Sequence, residues 1–313
     1  MKINIFSLNF LSKFICLLVS TSAMAGPVSE IKEMKNFKLG GEGAWDCLTV
    51  DSEAHRLYIA RSNRVMVINS ENGKLIGEVT GLLGAHGVVL SQETGKGFAS
   101  SGKTNEVFVF DLKSLKTVNK IKVGENPDIM FFDQANKKVL SLNGKTHDAS
   151  IIDPATQKVT GTISLPGKPE FAAQGKDGTV FINIEDKNSV VSVDMHKMKV
   201  EKSFNLDPCD EPSGLAIDSK TNRLIVGCGN KLALIVDSVS GKVLQKFQVG
   251  EHVDGAAFDE KNQLAYIPAA DGTLTALEDR GGTFKLFQSV STRKGSKTLA
   301  LDTKSGEVFI PAA

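Results

Sequence analysis

Short apolar runs alternate with polar turn clusters along most of this chain, and they do so with a fixed period. The run Leu215-Ala-Ile-Asp218 has counterparts ending at Asp51, Ser91, Asp133, Gly175, Asp259 and Asp302, 40 to 43 residues apart. About 20 residues after each of the first six lies a second apolar run, ending at Asn69, Asp111, Asp153, Asp194, Asp237 and Glu278, spaced by 41 to 43 residues. Two independent markers with one period define an internal repeat. Within the fifth unit the pattern predicts four strands, at 214–217, 223–227, 231–236 and 243–249. Val, Ile, Leu and Phe dominate them, and clusters such as Asp218-Ser-Lys-Thr-Asn222 separate them. Asp or Asn at the second marker predicts Asx turns, because a short side chain can accept from the backbone two residues on. Runs such as Val107-Phe-Val-Phe110 are apolar on both faces, as a sheet packed between two other sheets requires. No later segment shows a sustained 3.6-residue period with helix caps. The prediction is an all-β, seven-bladed β-propeller of four-stranded blades.

The ends of the chain predict how the ring closes. Residues 30–40 read like a fourth strand, comparable with 244–250, whereas the last unit, 295–313, contains only a first and a second strand. The N-terminal strand is therefore expected to join the last blade and remove its exposed edge. The third strand of that blade is then missing: either the chain continues beyond this sequence, or the blade has three strands.

Composition changes the picture mainly at the N-terminus. Lys2 and Lys13 supply positive charge, residues 14–19 form an apolar run directly after Lys13, and Ala23-Met24-Ala25 has the small-x-small form of a cleavage site. Residues 1–25 are read as a secretory signal peptide and 26–313 as a single propeller domain, periplasmic or secreted, without a transmembrane segment. Without Lys2 and Lys13 the chain carries 35 basic and 36 acidic residues. Near-neutrality argues against a generic nucleic-acid or anionic-membrane binder. Three cysteines follow the leader. Cys228 ends a second strand and Cys209 precedes the first strand of the same unit, so they are expected to form a disulfide, leaving Cys47 free and pointing into the first blade.

With the repeats laid out, the units resemble YVTN propeller repeats, and the chain from residue 30 to its end resembles a YncE-like protein. The matching stretches are Val123-Gly-Glu-Asn-Pro-Asp128, Asp218-Ser-Lys-Thr-Asn-Arg-Leu-Ile-Val226 and Val236-Asp-Ser-Val-Ser-Gly-Lys-Val243. The resemblance implies a seven-bladed propeller in the periplasm or outside the cell and says little about chemistry. Chains of that family usually continue past the point where this one stops.

Candidate chemistry comes from the repeat register. Five residues before the first marker stand Asp46, His86, Asp128, Glu170, Ser213, Asp254 and Lys297. All seven should ring one mouth of the central channel, with a charge of about −3 if His86 is neutral. Such a ring suits a hard cation or a polar ligand bearing amines, and equally a water-filled channel with no ligand. Asp128, Glu170, Asp254 and His86 are the candidate metal ligands, and the possible cofactor is a divalent cation. Arg61 and His147 are expected on loops of the same face, His252 is expected near Asp254, and Trp45 beside Asp46 could stack on a ligand or simply pack. No helix-opening phosphate loop, zinc-protease helix or nucleophile elbow is present. The leading expectation is a monomeric, non-enzymatic binding or scaffold protein for a small polar ligand or a protein partner. The alternative is a metal-dependent hydrolase resembling the gluconolactonase propellers, with His86 as base.

Overall fold

A computed structural model describes residues 2–7 and 30–312. The cleavage site and most of the expected leader lie outside the described residues. Seven sheets follow one another along the chain. The innermost strands are Leu48–Asp51, Val88–Ser91, Pro127–Asp133, Pro169–Gln174, Pro212–Asp218, Ala257–Asp259 and Ala300–Leu301. Each touches the next, and the last touches the first, so the sheets close into a ring of seven blades. Blade 5 shows the plan: Pro212–Asp218, Arg223–Cys228, Leu232–Asp237 and Val243–Gln248 pair in that order, all antiparallel. No α-helix occurs among the described residues; two short 3-10 turns stand at Gly102–Thr104 and Glu185–Lys187. No helix there is long and apolar enough to cross a membrane.

The doubly apolar strands behave as their pattern requires. Val107, Phe108, Val109 and Phe110 are all buried. Phe108 and Phe110 pack toward blade 1 with Tyr58 and Val67, while Val107 and Val109 pack toward blade 3 with Val139 and Ile152. Successive side chains point to opposite faces of a strand, so one strand fills two interfaces. Each such side chain contributes roughly 1.5–3 kcal/mol by leaving water.

Both marker positions are turn anchors. Asp111 Oδ1 accepts from the amides of Lys113 and Ser114, and Asp237 Oδ1 from those of Val239 and Ser240. At the first marker Asp133 and Asp259 hold their own turns in the same way. Several first-marker carboxylates also join adjacent blades: Gln92 donates to Asp51 at 2.9 Å, Gln174 to Asp133, and Ser52 to Asp302 at 2.6 Å.

Two blades depart from the plan. In blade 1, Arg56–Asn69 forms one run of 14 extended residues, but Ser62 has φ 42. Leu57 and Ile59 share a core cluster with Met66 and Ile68, so the segment turns back at Ser62 and supplies both middle strands. In blade 7 the order is Glu33–Lys38, Lys2–Ser7, Glu307–Ala312, Ala300–Leu301. The N-terminal strand thus closes the last blade as expected. The expectation of a missing third strand is corrected, because Lys2–Ser7, read as leader, takes that place and runs parallel to both neighbours. Two facing strand edges leave rows of backbone donors and acceptors unpaired, and a six-residue extended segment satisfies both.

Candidate functional site at the channel mouth

The mouth is built where the innermost strands begin. In blades 3, 4 and 5 a proline opens the strand and a bulge follows: Pro127 faces Asn143 while Met130 faces Ser141, and the same step recurs after Pro169 and Pro212. Asp128, Glu170 and Ser213 are the second residues of these strands. Inner strands come very close here. A Cβ on Gly87 would lie 2.7 Å from the Asp128 carbonyl oxygen, and one on Gly214 would lie 2.5 Å from the backbone of Gly255. Only glycine permits that approach.

Backbone bonds stitch the mouth from blade to blade. The Cys47 amide donates to the His86 carbonyl at 3.0 Å, and the Asp254 amide to the Lys297 carbonyl at 3.2 Å. Buried side chains add to this: Ser100 donates to the Asp128 carbonyl, Asn183 to those of Ser213 and Gly214, and Thr298 to that of Asp46. Sequence reasoning did not single out these three residues.

Side chains then join the ring. His86 Nδ1 lies 2.8 Å from Asp46 Oδ2 and 3.7 Å from Asp128 Oδ1. The Ser213 hydroxyl donates to Asp254 Oδ1 at 2.6 Å, and Lys297 Nζ lies 2.6 Å from Asp254 Oδ2. Glu170, only 7% exposed, bonds none of the other six side chains; Lys168 covers it at 2.9 Å and also pairs with Glu185. Lys168 is the main charge the sequence reading missed. Two residues before each ring position stand Ala44, Gly84, Asn126, Lys168, Glu211, His252 and Gly295. Five of them have positive φ: Gly84, Asn126, Glu211, His252 and Gly295. That second register was the available signal.

The electrostatics follow from burial. Burial pushes Glu170 up to about 8, with Asp128 adding to the shift and Lys168 opposing it. Asp128 rises to about 6, mainly through burial, against the pull of His86. Asp254 is raised by burial although Lys297 and Ser213 hold its ionised form. His86 is raised, chiefly by its bond to Asp46. With Lys168 and a readily protonated His86 included, the mouth is much closer to neutral than the expected −3.

Other expectations fall elsewhere. Cys209 and Cys228 form the disulfide, with Cα atoms 5.5 Å apart, and Cys47 is free and buried. Cys47 does not point away from the channel, however. Its thiol lies 3.7 Å from Asp46 Oδ1, and burial together with the ring carboxylates raises its pKa well above the ordinary thiol range. Arg61 is not a pocket residue: it is 1% exposed and donates to the carbonyls of Gly40, Gly41, Glu42 and Gly43 at 2.8–3.2 Å. A planar fork of donors matches four converging carbonyls, so it anchors the loop that leads to Asp46. His252 is exposed beside Glu251 and stays out of the ring, and His147 is an exposed turn residue. Trp45 packs in the interface of blades 1 and 7.

Comparison with known proteins gives the fold alone. No family model matches the chain, and no curated protein matches it. Among solved structures, a hydrazine synthase chain of Kuenenia stuttgartiensis superimposes with a TM-score of 0.70 at 16% identity, over 82% of this chain and 89% of that one.

Proposed function

We propose that this chain is an exported binding or scaffold protein of the YncE-like, YVTN-repeat kind, and that its ligand seats at the channel mouth. The observation that carries the reading is the convergence of ionisable side chains from blades 1 to 4 around one opening. Asp46, His86 and Asp128 face one another there, and buried Glu170 and Asp128 are held above their ordinary carboxylate range. Perturbed ionisable groups gathered in a concavity mark a ligand site more often than ordinary surface. The Cys209–Cys228 bridge supports an oxidising compartment outside the cytoplasm.

The test is a thermal-melt screen of the purified protein with Ca²⁺, Mg²⁺, Zn²⁺ and polyamines, repeated on Asp128→Asn and Glu170→Gln. A ligand that raises Tm in the parent and less in the two variants supports the mouth as its seat, because stabilisation follows occupancy. No shift in the parent, or equal shifts in parent and variants, overturns the reading. Chelator-sensitive turnover of a lactone panel would replace the binding reading with the hydrolase alternative.

A further inference from the structure

One side of the mouth has more specific chemistry than a field of charge. We propose that Asp46, His86 and Asp128 form a three-donor site for a single divalent first-row transition ion of the zinc class, with its remaining position open to the channel. This deepens the reading of the mouth as a binding site and rests on it.

The donor set and the distances carry the proposal. One ligand atom from each of the three residues lies within 4.8 Å of the other two. Two donors bound at about 2.0–2.1 Å to a tetrahedral ion stand roughly 3.3 Å apart. The His86 Nδ1 separations of 2.8 Å to Asp46 and 3.7 Å to Asp128 straddle that value. An ion can therefore sit between the imidazole and each carboxylate with shifts of about half an ångström at those two contacts, while the two carboxylate oxygens, within 4.8 Å of each other, close toward the same spacing. One imidazole and two carboxylates suit zinc and its first-row neighbours, whereas Ca²⁺ takes six to eight oxygens and Mg²⁺ a near-ideal octahedron.

Two further observations point the same way. The Asp128 side chain is four-fifths buried, yet no hydrogen-bond donor reaches its carboxylate among the described residues; His86 at 3.7 Å is its one ion-pair partner. A carboxylate withdrawn from water and left without a donor is poised for a cation. The Asp46 carboxylate, in turn, is divided between two jobs: Oδ1 accepts from the Cys47 thiol and Oδ2 faces His86. Such an outer contact fixes which oxygen a ligating carboxylate presents.

The other half of the mouth shows what a finished site looks like. Asp254 already has a lysine and a hydroxyl at 2.6 Å, and Glu170 has Lys168. Neither is available to an ion without expelling an ammonium group, which is why the three donors come from blades 1, 2 and 3.

The experiment uses the full chain, stripped with EDTA, dialysed against Zn²⁺ and assayed for bound metal, with a parallel Co²⁺ titration followed by visible absorption. The expected result is one ion per chain and the intense spectrum of four-coordinate Co²⁺. His86→Gln and Asp128→Asn should each weaken binding tenfold or more, while Glu201→Gln on an outer strand should leave it as in the parent. Asp254→Asn removes the same charge from the ring but no donor, so its effect should stay below threefold. No bound ion, a weak six-coordinate Co²⁺ spectrum in the parent, or equal losses in Asp254→Asn and His86→Gln would overturn the assignment. If polyamines stabilise the parent, Glu170→Gln abolishes that effect and Zn²⁺ does not bind, this ligand set is overturned while the binding reading of the mouth survives.

Discussion

The two halves of the channel mouth share one repeat position but differ in how their charges are satisfied. On the side of blades 5 to 7, Ser213, Asp254 and Lys297 form a chain of short contacts, and the carboxylate has both a donor and a permanent counter-charge. On the side of blades 1 to 3, Asp46 and Asp128 share one imidazole, whose charge depends on a proton, and among the described residues no hydrogen-bond donor reaches the Asp128 carboxylate. Blade 4 stands between, with Glu170 buried under Lys168. The lesson is that a ring of carboxylates is not one site. A permanent ammonium completes a carboxylate, whereas an imidazole shared by two leaves room for another cation.

The largest expected effect lies behind the completed half. Replacing both Cys209 and Cys228 by Ser should cost about 3 kcal/mol, because the bridge closes a loop of sequence separation 19 in the unfolded chain. Thermal unfolding measures it, and in the parent a thiol count with and without reductant should differ by two. If Tm is unchanged, the rigidity of the completed half does not come from this bridge. On the open half the corresponding anchor is Arg61. Arg61→Lys cannot reach four carbonyls with a single ammonium, and should cost about 2 kcal/mol. Faster amide exchange confined to residues 40–47 would show that the loss is local, and a uniform change would refute the anchor.

The boundary between the halves has a pH signature. Burial raises Glu170 to about 8 in the folded chain, against an ordinary value of 4.5, even with Lys168 opposing the shift. Between those values the unfolded chain binds fewer protons than the folded one, so stability falls as pH rises through that window. The slope is roughly 1.4 kcal/mol per pH unit at most, the value for one proton. Glu170→Gln should flatten it. Urea unfolding of the EDTA-treated protein at several pH values between 4.5 and 8 measures this, and an unchanged slope in the variant would place the pH dependence elsewhere. The smallest effect is expected for Lys297→Met, about 1 kcal/mol at neutral pH, since this lysine is 43% exposed at its side chain and screened by water. A loss several times larger would mean that the completed half depends on its ion pair far more than the open half depends on His86.

How much of the site could be read in advance follows from what the repeat specifies. Period alone put Asp46, His86, Asp128, Glu170, Ser213, Asp254 and Lys297 at equivalent positions, because identical backbone units place equivalent residues at one radius. The pairings were not legible. Glu170 finds Lys168 through a neighbour two residues away in the chain, while Asp254 finds Lys297 across a blade interface. Both lysines look alike in sequence. Arg61 and His252 were misread for a related reason: both sit near loops, but Arg61 turns inward to four carbonyls, and His252, with φ 54, turns outward.

The sequence by itself determined the blade: strand order, the Asx turns, the doubly apolar middle strands, the hairpin that brings Cys209 to Cys228, and the closing role of the N-terminal strand. These rest on local chemistry and on a period, and both are properties of the chain read in order. Only the tertiary structure decided that Lys2–Ser7 takes the third-strand place of blade 7, that the Cys47 thiol reaches Asp46, and that one half of the mouth is satisfied while the other shares a single imidazole. Those outcomes depend on how side chains orient at a strand start and on distances between residues that the chain order keeps apart, such as Asp46 and His86 or Asp254 and Lys297, and on which buried charge has a counter-charge within reach. A one-dimensional pattern can place such groups around a ring, but it does not contain the ångström-scale separations that decide which of them meet.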